Sequence, residues 1–508
     1  MSAAVSSPLP ESEQIAALKR ELDWAYLKIQ VLEERLRLER IKKYGPASEK
    51  LSGRQLELLD LEPGVSRQEV QAESEREPLA DSPSKPRPRR RHPGRQALPA
   101  ALPRVERIVP CLPEQCRCPA CGAEREVIGY DQSEQLDVEP ARYFVLLTKR
   151  EKRACRSCGQ GGVSAAPLPA RIIDKSLVSD RVVIDTLVAK YSDHLPLYRQ
   201  SAILERETGV EISRATLDGW VMRVGELLIP LVEAMRGELL RGNYIQADET
   251  PVDVQLHDGR GKNHQAYLWQ YGRVGGGVVF DFRLGRGRDG PKQFLGQFEG
   301  LLQTDAYIAY EQVGGPKLVH AGCWAHARRG FVDALKLDPG NEAARGVVKV
   351  MDELFGIDAQ ARERTLDCAA RDALRQQHAR PLLERIRQQV EAARGGALPS
   401  SALGKAARYT LALWLRLTRF LEYPELELSN NLAENSMRPV ALGRKNWLHV
   451  GSAQAGPKVA AILSLVESCR RMKLPLREYL AAVLPGLAGT SVRKLPELTP
   501  AAWASRSL

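Results

Sequence analysis

The sequence predicts a multidomain α+β protein, in which helical segments and a small cysteine-bearing domain precede one mixed-sheet domain that is itself interrupted by helices. Three observations predict it. A heptad seam runs near the N-terminus, two Cys-x-x-Cys pairs follow, and from Asn243 the hydrophobic period changes from that of helices to the alternation of strands. A chain of 508 residues has room for about three or four domains. Its hydrophobic content of 43% is ordinary for globular protein.

The seam consists of Ile15, Leu18, Leu22, Ala25, Ile29, Leu32 and Leu36, spaced alternately by three and four, with charges on the other faces. That spacing predicts a coiled coil pairing two or more protomers within an N-terminal helical segment at 11–60. The alternative is one amphipathic helix lying on its own protein.

Residues 61–103 read as a flexible linker, rich in Glu, Pro, Ser and Arg. It carries Lys85, Arg87, Arg89, Arg90, Arg91 and Arg95 in a run with no acid. Such a run tracks phosphates or sits in a minor groove, or is simply a solvated charged linker. The net charge of +11 points the same way, to an anionic partner such as nucleic acid.

No signal peptide or bilayer-length apolar run is present, so a cytosolic protein is expected, and nine cysteines there point to metal or burial rather than disulfides. Cys118 and Cys121 form one knuckle and Cys155 and Cys158 a second, with Gly122 and Gly159 after them. Two such knuckles make a tetrahedral thiolate site, so a zinc-ribbon-like domain with structural zinc is expected at 104–170. Tyr143, Val145 and Leu147 alternate as strands would. Cys116 competes as a ligand, beside Cys111, and four unrelated buried thiols are the alternative. A four-cysteine site is closed, so its role is folding and not catalysis.

Residues 171–240 read as helical. A helix over 195–207, a turn at Gly209 and a helix over 214–224 capped by Ser213 give a helix-turn-helix pattern, or an ordinary helical hairpin.

From Asn243, NYIQADETPVDVQ, QAYLWQYG and GVVFDFRL read as three strands and DGPKQFLGQF as a helix. GLLQTDAY is a short strand ending in Asp305, and KLVHAGCWAH is a strand entering a helix. The order β-β-β-α-β-α-β-α is the ribonuclease H arrangement, in which the first and fourth strands lie side by side. Asp248 and Asp305 then meet at neighbouring positions. Two close carboxylates repel unless cations separate them, which makes a Mg²⁺ site, and a pair of such ions can clamp an in-line displacement at phosphorus.

Glu434, on a predicted helix, is the best third carboxylate. Arg438 shares its face and could hold a phosphate, with Arg444 and Lys445 flanking. Alternatives stand beside each. Asp248 could pair only with an arginine, Glu249 or Asp253 could replace it, and Glu434 could complete a capping box with Asn431. His320, Cys323 and His326 have metal-like spacing and are read as structural or substrate-side residues, with zinc as the alternative. The catalytic core is expected at 241–340 and 429–450, with a helical insertion at 341–428 and closing helices at 451–508.

Several stretches together resemble the transposases of the insertion sequence 66 family: KKYGPASEKLS, HPGRQALPA, CRCPACG with CRSCG, DHLPLYRQ with GVEISRATLDGWV, QADETPVDV, LQTDAYIAY, HAGCWAHARR and NNLAENSMRPVALGRKNWLHVGS. The resemblance implies a bacterial DNA transposase with Asp248, Asp305 and Glu434 as its catalytic triad on two Mg²⁺ (or Mn²⁺) ions. It implies double-stranded element ends and target DNA as partners, a homo-oligomer, accessory proteins of the same element, and a nucleoid-associated cytoplasmic location. The family usually has Asp at Ser429, Arg at Asn435 and an aromatic at His449. The rival readings are a zinc-containing DNA-binding protein with an inactive domain and a nuclease of the same fold without strand transfer.

Overall fold

A computed structural model describes residues 11–44, 142–154, 163–256 and 261–506, with isolated positions elsewhere. The chain forms two compact units, one comprising Met1–Asp81 with Thr148–Leu508 and the other Ser82–Leu147.

In the smaller unit the described residues are mainly irregular. Tyr143, Val145 and Leu147 are solvent-exposed and lie in no strand, so the strands expected there are not formed. Alternation fits a strand only where a second strand takes up its main-chain groups. Of the four predicted zinc ligands only Cys121 falls among the described residues, and it is exposed. Cys118, Cys155 and Cys158 lie outside them, as do Arg89, Arg90, Arg91 and Arg95.

In the larger unit, α1 is one continuous helix, Glu11–Tyr44. Its seam residues Ile15, Leu18, Leu22, Ile29, Leu32 and Leu36 are all exposed. Two short strands, β1 (Lys152–Ala154) and β2 (Val163–Ala165), pair antiparallel.

Three helices follow: α2 (Asp180–Tyr191), α3 (Leu197–Thr208) and α4 (Arg214–Leu240). Gly209 ends α3 in the left-handed region at φ 69°, and the Ser213 hydroxyl accepts the Thr216 N–H at 3.1 Å to start α4. Helix α4 runs to Leu240, well past the end expected near Val224. Gly225 is not a stop there: a Cβ on it would meet the Lys458 carbonyl at 2.9 Å, so the glycine permits a close helix crossing. Pro230 sits on the exposed side of the same helix.

The sheet comprises β3 (Tyr244–Val254), β4 (His264–Gly272), β5 (Val278–Arg283), β6 (Leu301–Gln303) and β7 (Val319–Ala321). Its order is β5-β4-β3-β6-β7. The first three strands are antiparallel, and β6 and β7 run parallel to β3. The first and fourth strands are therefore neighbours. Helix α5 (Asp289–Leu295) links β5 to β6. The helix expected between β6 and β7 is only a 3₁₀ turn, Ile308–Tyr310. That connection is short and holds Gly314, Gly315 and Pro316, which favour a turn over helix propagation.

After α6 (Trp324–Leu337) the chain is helical through α7 (Glu342–Glu363), α8 (Cys368–Leu374), a π turn (Arg375–Ala379), α9 (Arg380–Gly396), α10 (Ala402–Ala412) and α11 (Trp414–Thr418). It then returns to the sheet through 420–430 and enters α12 (Asn431–Trp447), α13 (Ala455–Arg471), α14 (Leu476–Val483) and α15 (Pro500–Arg506). One hydrophobic core packs α4 and α13 on the antiparallel strands. The second joins the β6–β7 edge to α6, α7, α9 and α10.

The free edge of β5 is covered by α13. The Ser464 hydroxyl accepts from the Phe280 N–H at 2.8 Å, and Ser468, one turn on, accepts from Val278 at 2.9 Å. Two hydroxyls thus replace a sixth strand. Among the described residues no helix is long and apolar enough to cross a membrane.

Candidate active site

Strand periodicity sets the site. On β3, Gln246 and Asp248 are two residues apart and share a face; on the β6 segment Gln303 and Asp305 do likewise. Gln246 is the parallel partner of Gln303. Continuing that register brings Asp248 level with Asp305, just past the end of β6. Tyr307 donates its N–H to Asp305 Oδ1 at 2.9 Å, the Tyr409 hydroxyl donates to the Asp305 carbonyl at 2.7 Å, and the intervening Ala306 is held at φ 67°.

The two glutamines form a buried clamp. Gln246 Nε2 donates to Gln303 Oε1 at 3.0 Å, to the Tyr244 hydroxyl at 2.8 Å and to the Ser429 carbonyl at 3.1 Å. Gln303 Nε2 donates to the carbonyls of Glu427 at 2.7 Å and Gly322 at 3.0 Å. These bonds fasten residues 427–429 to the sheet, and α12 begins immediately afterwards. Ser429 contributes its main chain to the clamp, so this departure from the family pattern leaves the clamp intact.

The same strap is held from the insertion side. Arg375, fully buried, donates to both oxygens of Asp358 at 2.9 and 2.7 Å and to the carbonyls of Phe420, Pro424 and Leu426. Arg371 bridges Asp358 and Glu427, and Arg362 also pairs with Glu427. Burial alone would raise Asp358, but Arg375 and Arg371 outweigh it and draw the carboxyl down to about 2.

Helix α12 presents Glu434 from its first turn toward Asp248. Burial first, then the charges of Glu434 and Glu249, push the Asp248 carboxyl well above the ordinary range. The Glu249 N–H, 2.9 Å from Asp248 Oδ1, offsets part of this. Glu434 Oε2 accepts from Arg329 at 3.2 Å and its Oε1 lies 3.5 Å from His326 Nδ1. Burial opposes protonation of His326, yet Cys323 and Glu434 bring its imidazole up to about 9. Asn430 caps α12 without a side-chain cap bond, and the Glu434 carboxylate faces Arg329 and His326, so the capping-box alternative is not what the geometry presents.

The neighbouring acids and bases are placed as follows in the structure. The Glu249 carboxylate is taken by Arg286 at 2.6 Å and the Tyr310 hydroxyl at 2.9 Å, and Asp253 is exposed further along β3. Arg438 is half-buried one turn after Glu434 and Lys445 is exposed. Arg444 donates to Thr250 Oγ1 at 3.1 Å and the Pro251 carbonyl at 2.5 Å, docking α12 on β3. His320 stands apart on β7. A cavity of about 440 Å³ opens beside the site, lined by Asp305, His326, Arg329, Lys405, Tyr409 and Val31 among others.

The donor set of Asp248, Asp305 and Glu434 is all oxygen, and burial together with the Glu434 charge already raises Asp248. Those residues fit a hard divalent cation such as Mg²⁺. The sequence reading missed Tyr244, Gln246, Gln303 and Arg329. A signal for the glutamines is present: the motif Gln-x-Asp occurs at both Gln246-Ala-Asp248 and Gln303-Thr-Asp305.

Residues 175–458 match the family model described as the IS66 family transposase. Residues 115–159, spanning all four knuckle cysteines, match the zinc-finger binding domain of that transposase, which supports structural zinc. Residues 31–107 match a model described as transposase C of IS166 homeodomain. Similar chains include two from Sinorhizobium fredii, each named only as an uncharacterized protein. Protein y4qI is 34% identical over 460 residues, covering 87% of this chain and 82% of the relative, and protein y4jD is 33% identical over 423 residues, covering 80% and 81%. The chain belongs to the IS66 family of transposases.

Proposed function

We propose that this chain cuts the ends of an insertion sequence and joins them to target DNA with Asp248, Asp305 and Glu434 as catalytic residues in a ribonuclease H-like domain. The observation that carries the reading is the convergence of Asp248 and Glu434, far apart in sequence, in one half-buried carboxylate cluster, with Asp305 level in register. The strand order β5-β4-β3-β6-β7 supports the ribonuclease H-like assignment.

Bound there, a pair of Mg²⁺ or Mn²⁺ ions would activate the attacking oxygen and neutralise the leaving one. The chain supplies the rest. The glutamine clamp and the arginine network hold Glu434 opposite the sheet. Arg438 and Lys445 take scissile and flanking phosphates, with Arg444 bracing their helix. Water attacks the phosphodiester at the element end and frees a 3′-hydroxyl, which then attacks a target phosphodiester. No covalent link to the protein is required.

The hairpin of α3 and α4, the run Arg89, Arg90, Arg91 and Arg95, and the zinc domain would recognise double-stranded element ends. The exposed α1 seam would pair protomers as a coiled coil. The test is Asp305→Asn with element-end DNA in Mg²⁺. The variant binds ends but neither cleaves nor joins. Cleavage retained by the variant overturns the triad, and cleavage without joining by the wild type favours a nuclease.

A further inference from the structure

We infer that Cys323, His326 and Glu434 form a second, softer metal site that takes a zinc-class cation and, when filled, removes Glu434 from the magnesium site. The regulatory half of this inference rests on the triad assignment above; the binding half does not.

Among the described residues this is a set of three chemically distinct ligands brought together. One sulfur, one imidazole nitrogen and one carboxylate oxygen all lie within 4.8 Å of one another. Tetrahedral zinc with bonds of ~2.0–2.3 Å needs ligand atoms ~3.3–3.8 Å apart, so a closure of roughly 1 Å suffices. Cys323 caps α6 and His326 lies in its first turn, so the helix holds two ligands on one face at i and i+3. Glu434 arrives from α12, already positioned by the clamp.

Two further observations fit a ligand. His326 Nδ1 and Glu434 Oε1 are buried and face each other at 3.5 Å, too far for a good hydrogen bond, and neither hydrogen-bonds to another group, so a cation can replace their ion pair. The cavity lined by His326, Asp305 and Tyr409 gives an entry path, and a water or a DNA oxygen could complete the shell.

Donor chemistry decides the cation. Thiolate and imidazole select Zn²⁺ or its analogues Co²⁺ and Cd²⁺, whereas Mg²⁺ wants oxygen. Asp248 and Asp305 on the sheet side favour the hard ion, Cys323 and His326 on the α6 side favour the soft one, and Glu434 stands between. Occupancy by zinc therefore competes with the magnesium reaction.

The experiment uses the full-length protein and Cys323→Ser. Serine is nearly isosteric and a good helix cap, and a thermal melt checks the fold. Zinc content is measured after dialysis. Wild type is expected to hold two zinc ions per chain, and Cys323→Ser and Cys118→Ser/Cys121→Ser to hold one each. In the Cys118→Ser/Cys121→Ser background, Co²⁺ should give a thiolate charge-transfer band that vanishes when Cys323→Ser is added. Equal metal content and equal cobalt spectra with and without Cys323 overturn the site, whatever the activity.

In the second arm, added Zn²⁺ inhibits Mg²⁺-supported end cleavage by wild type. Cys323→Ser needs roughly tenfold more zinc or beyond, as loss of even an outer-shell group commonly shifts affinity by that much. Zinc binding that leaves wild-type cleavage untouched overturns the competition for Glu434.

Discussion

Gln246 donates to Gln303 at 3.0 Å across the β3–β6 pair, and together the two side chains anchor the strap that delivers Glu434. Replacing Gln303 with leucine strips partners from the buried carbonyls of Gly322 and Glu427 and from the Tyr244 hydroxyl. Each unsatisfied group costs about 1–3 kcal/mol. The expected result is a folded protein with a lower melting temperature and end cleavage reduced far more than DNA binding. Equal losses in binding and cleavage would make the clamp merely structural.

Arg375→Met leaves the buried Asp358 with only one of its two arginines, Arg371, and strips donors from the carbonyls of Phe420, Pro424 and Leu426. Breaking one side of a buried pair costs about 3–5 kcal/mol, read by denaturant unfolding. Asp358 itself is depressed to about 2, so its contribution is present above the ordinary carboxylate range and is lost as pH falls toward 2. Wild type should lose stability steeply over that acid window, and Asp358→Asn should show a flatter profile.

Asp248 lies on the other side of the sign. Its carboxyl is raised, so the associated stability is present at low pH and fades as pH climbs past the ordinary carboxylate range and through the raised value. At neutral pH in chelator, Asp248→Asn should melt above wild type. Added Mg²⁺ should raise the melting temperature of wild type and not of the variant. An equal increment in both would detach Asp248 from the metal.

Ala306 holds a positive φ of 67° between Asp305 and Tyr307. A β-branched residue fits that region badly, so Ala306→Val should cost about 1–3 kcal/mol and displace Asp305, whereas Ala306→Gly should fold normally. Melting curves of the pair decide the matter.

The α1 seam is solvent-exposed in a single chain. Ile29→Asp should lower the mass measured by light scattering to that of one chain and leave the α-helical content of the rest unchanged.

The parts legible from sequence share a cause: short-range periodicity reports which face a side chain takes. Alternation put Asp248 on β3 and pointed to the strand before Asp305, although β6 stops at Gln303 and Asp305 lies just past its end; Ser213 marked the start of α4. What was hidden depended on partners far along the chain. Gln246 and Gln303 look like ordinary polar strand residues until the strap at 427–429 closes on them. Gly225 looks like a helix stop until Lys458 packs against it. Tyr143, Val145 and Leu147 alternate without a partner strand. The link between Glu434 and His326 was invisible because one lies before the helical insertion and the other after it.

The strap fastened by Gln246, Gln303 and Arg375 has a consequence for synthesis. A nascent chain leaving the ribosome carries Asp248 and Asp305 long before Glu434, and the insertion helices must also be made before Arg375 can grip its carbonyls. A truncated product therefore has a sheet and two carboxylates but lacks the third, so under the proposed triad premature termination yields a chain without an assembled centre.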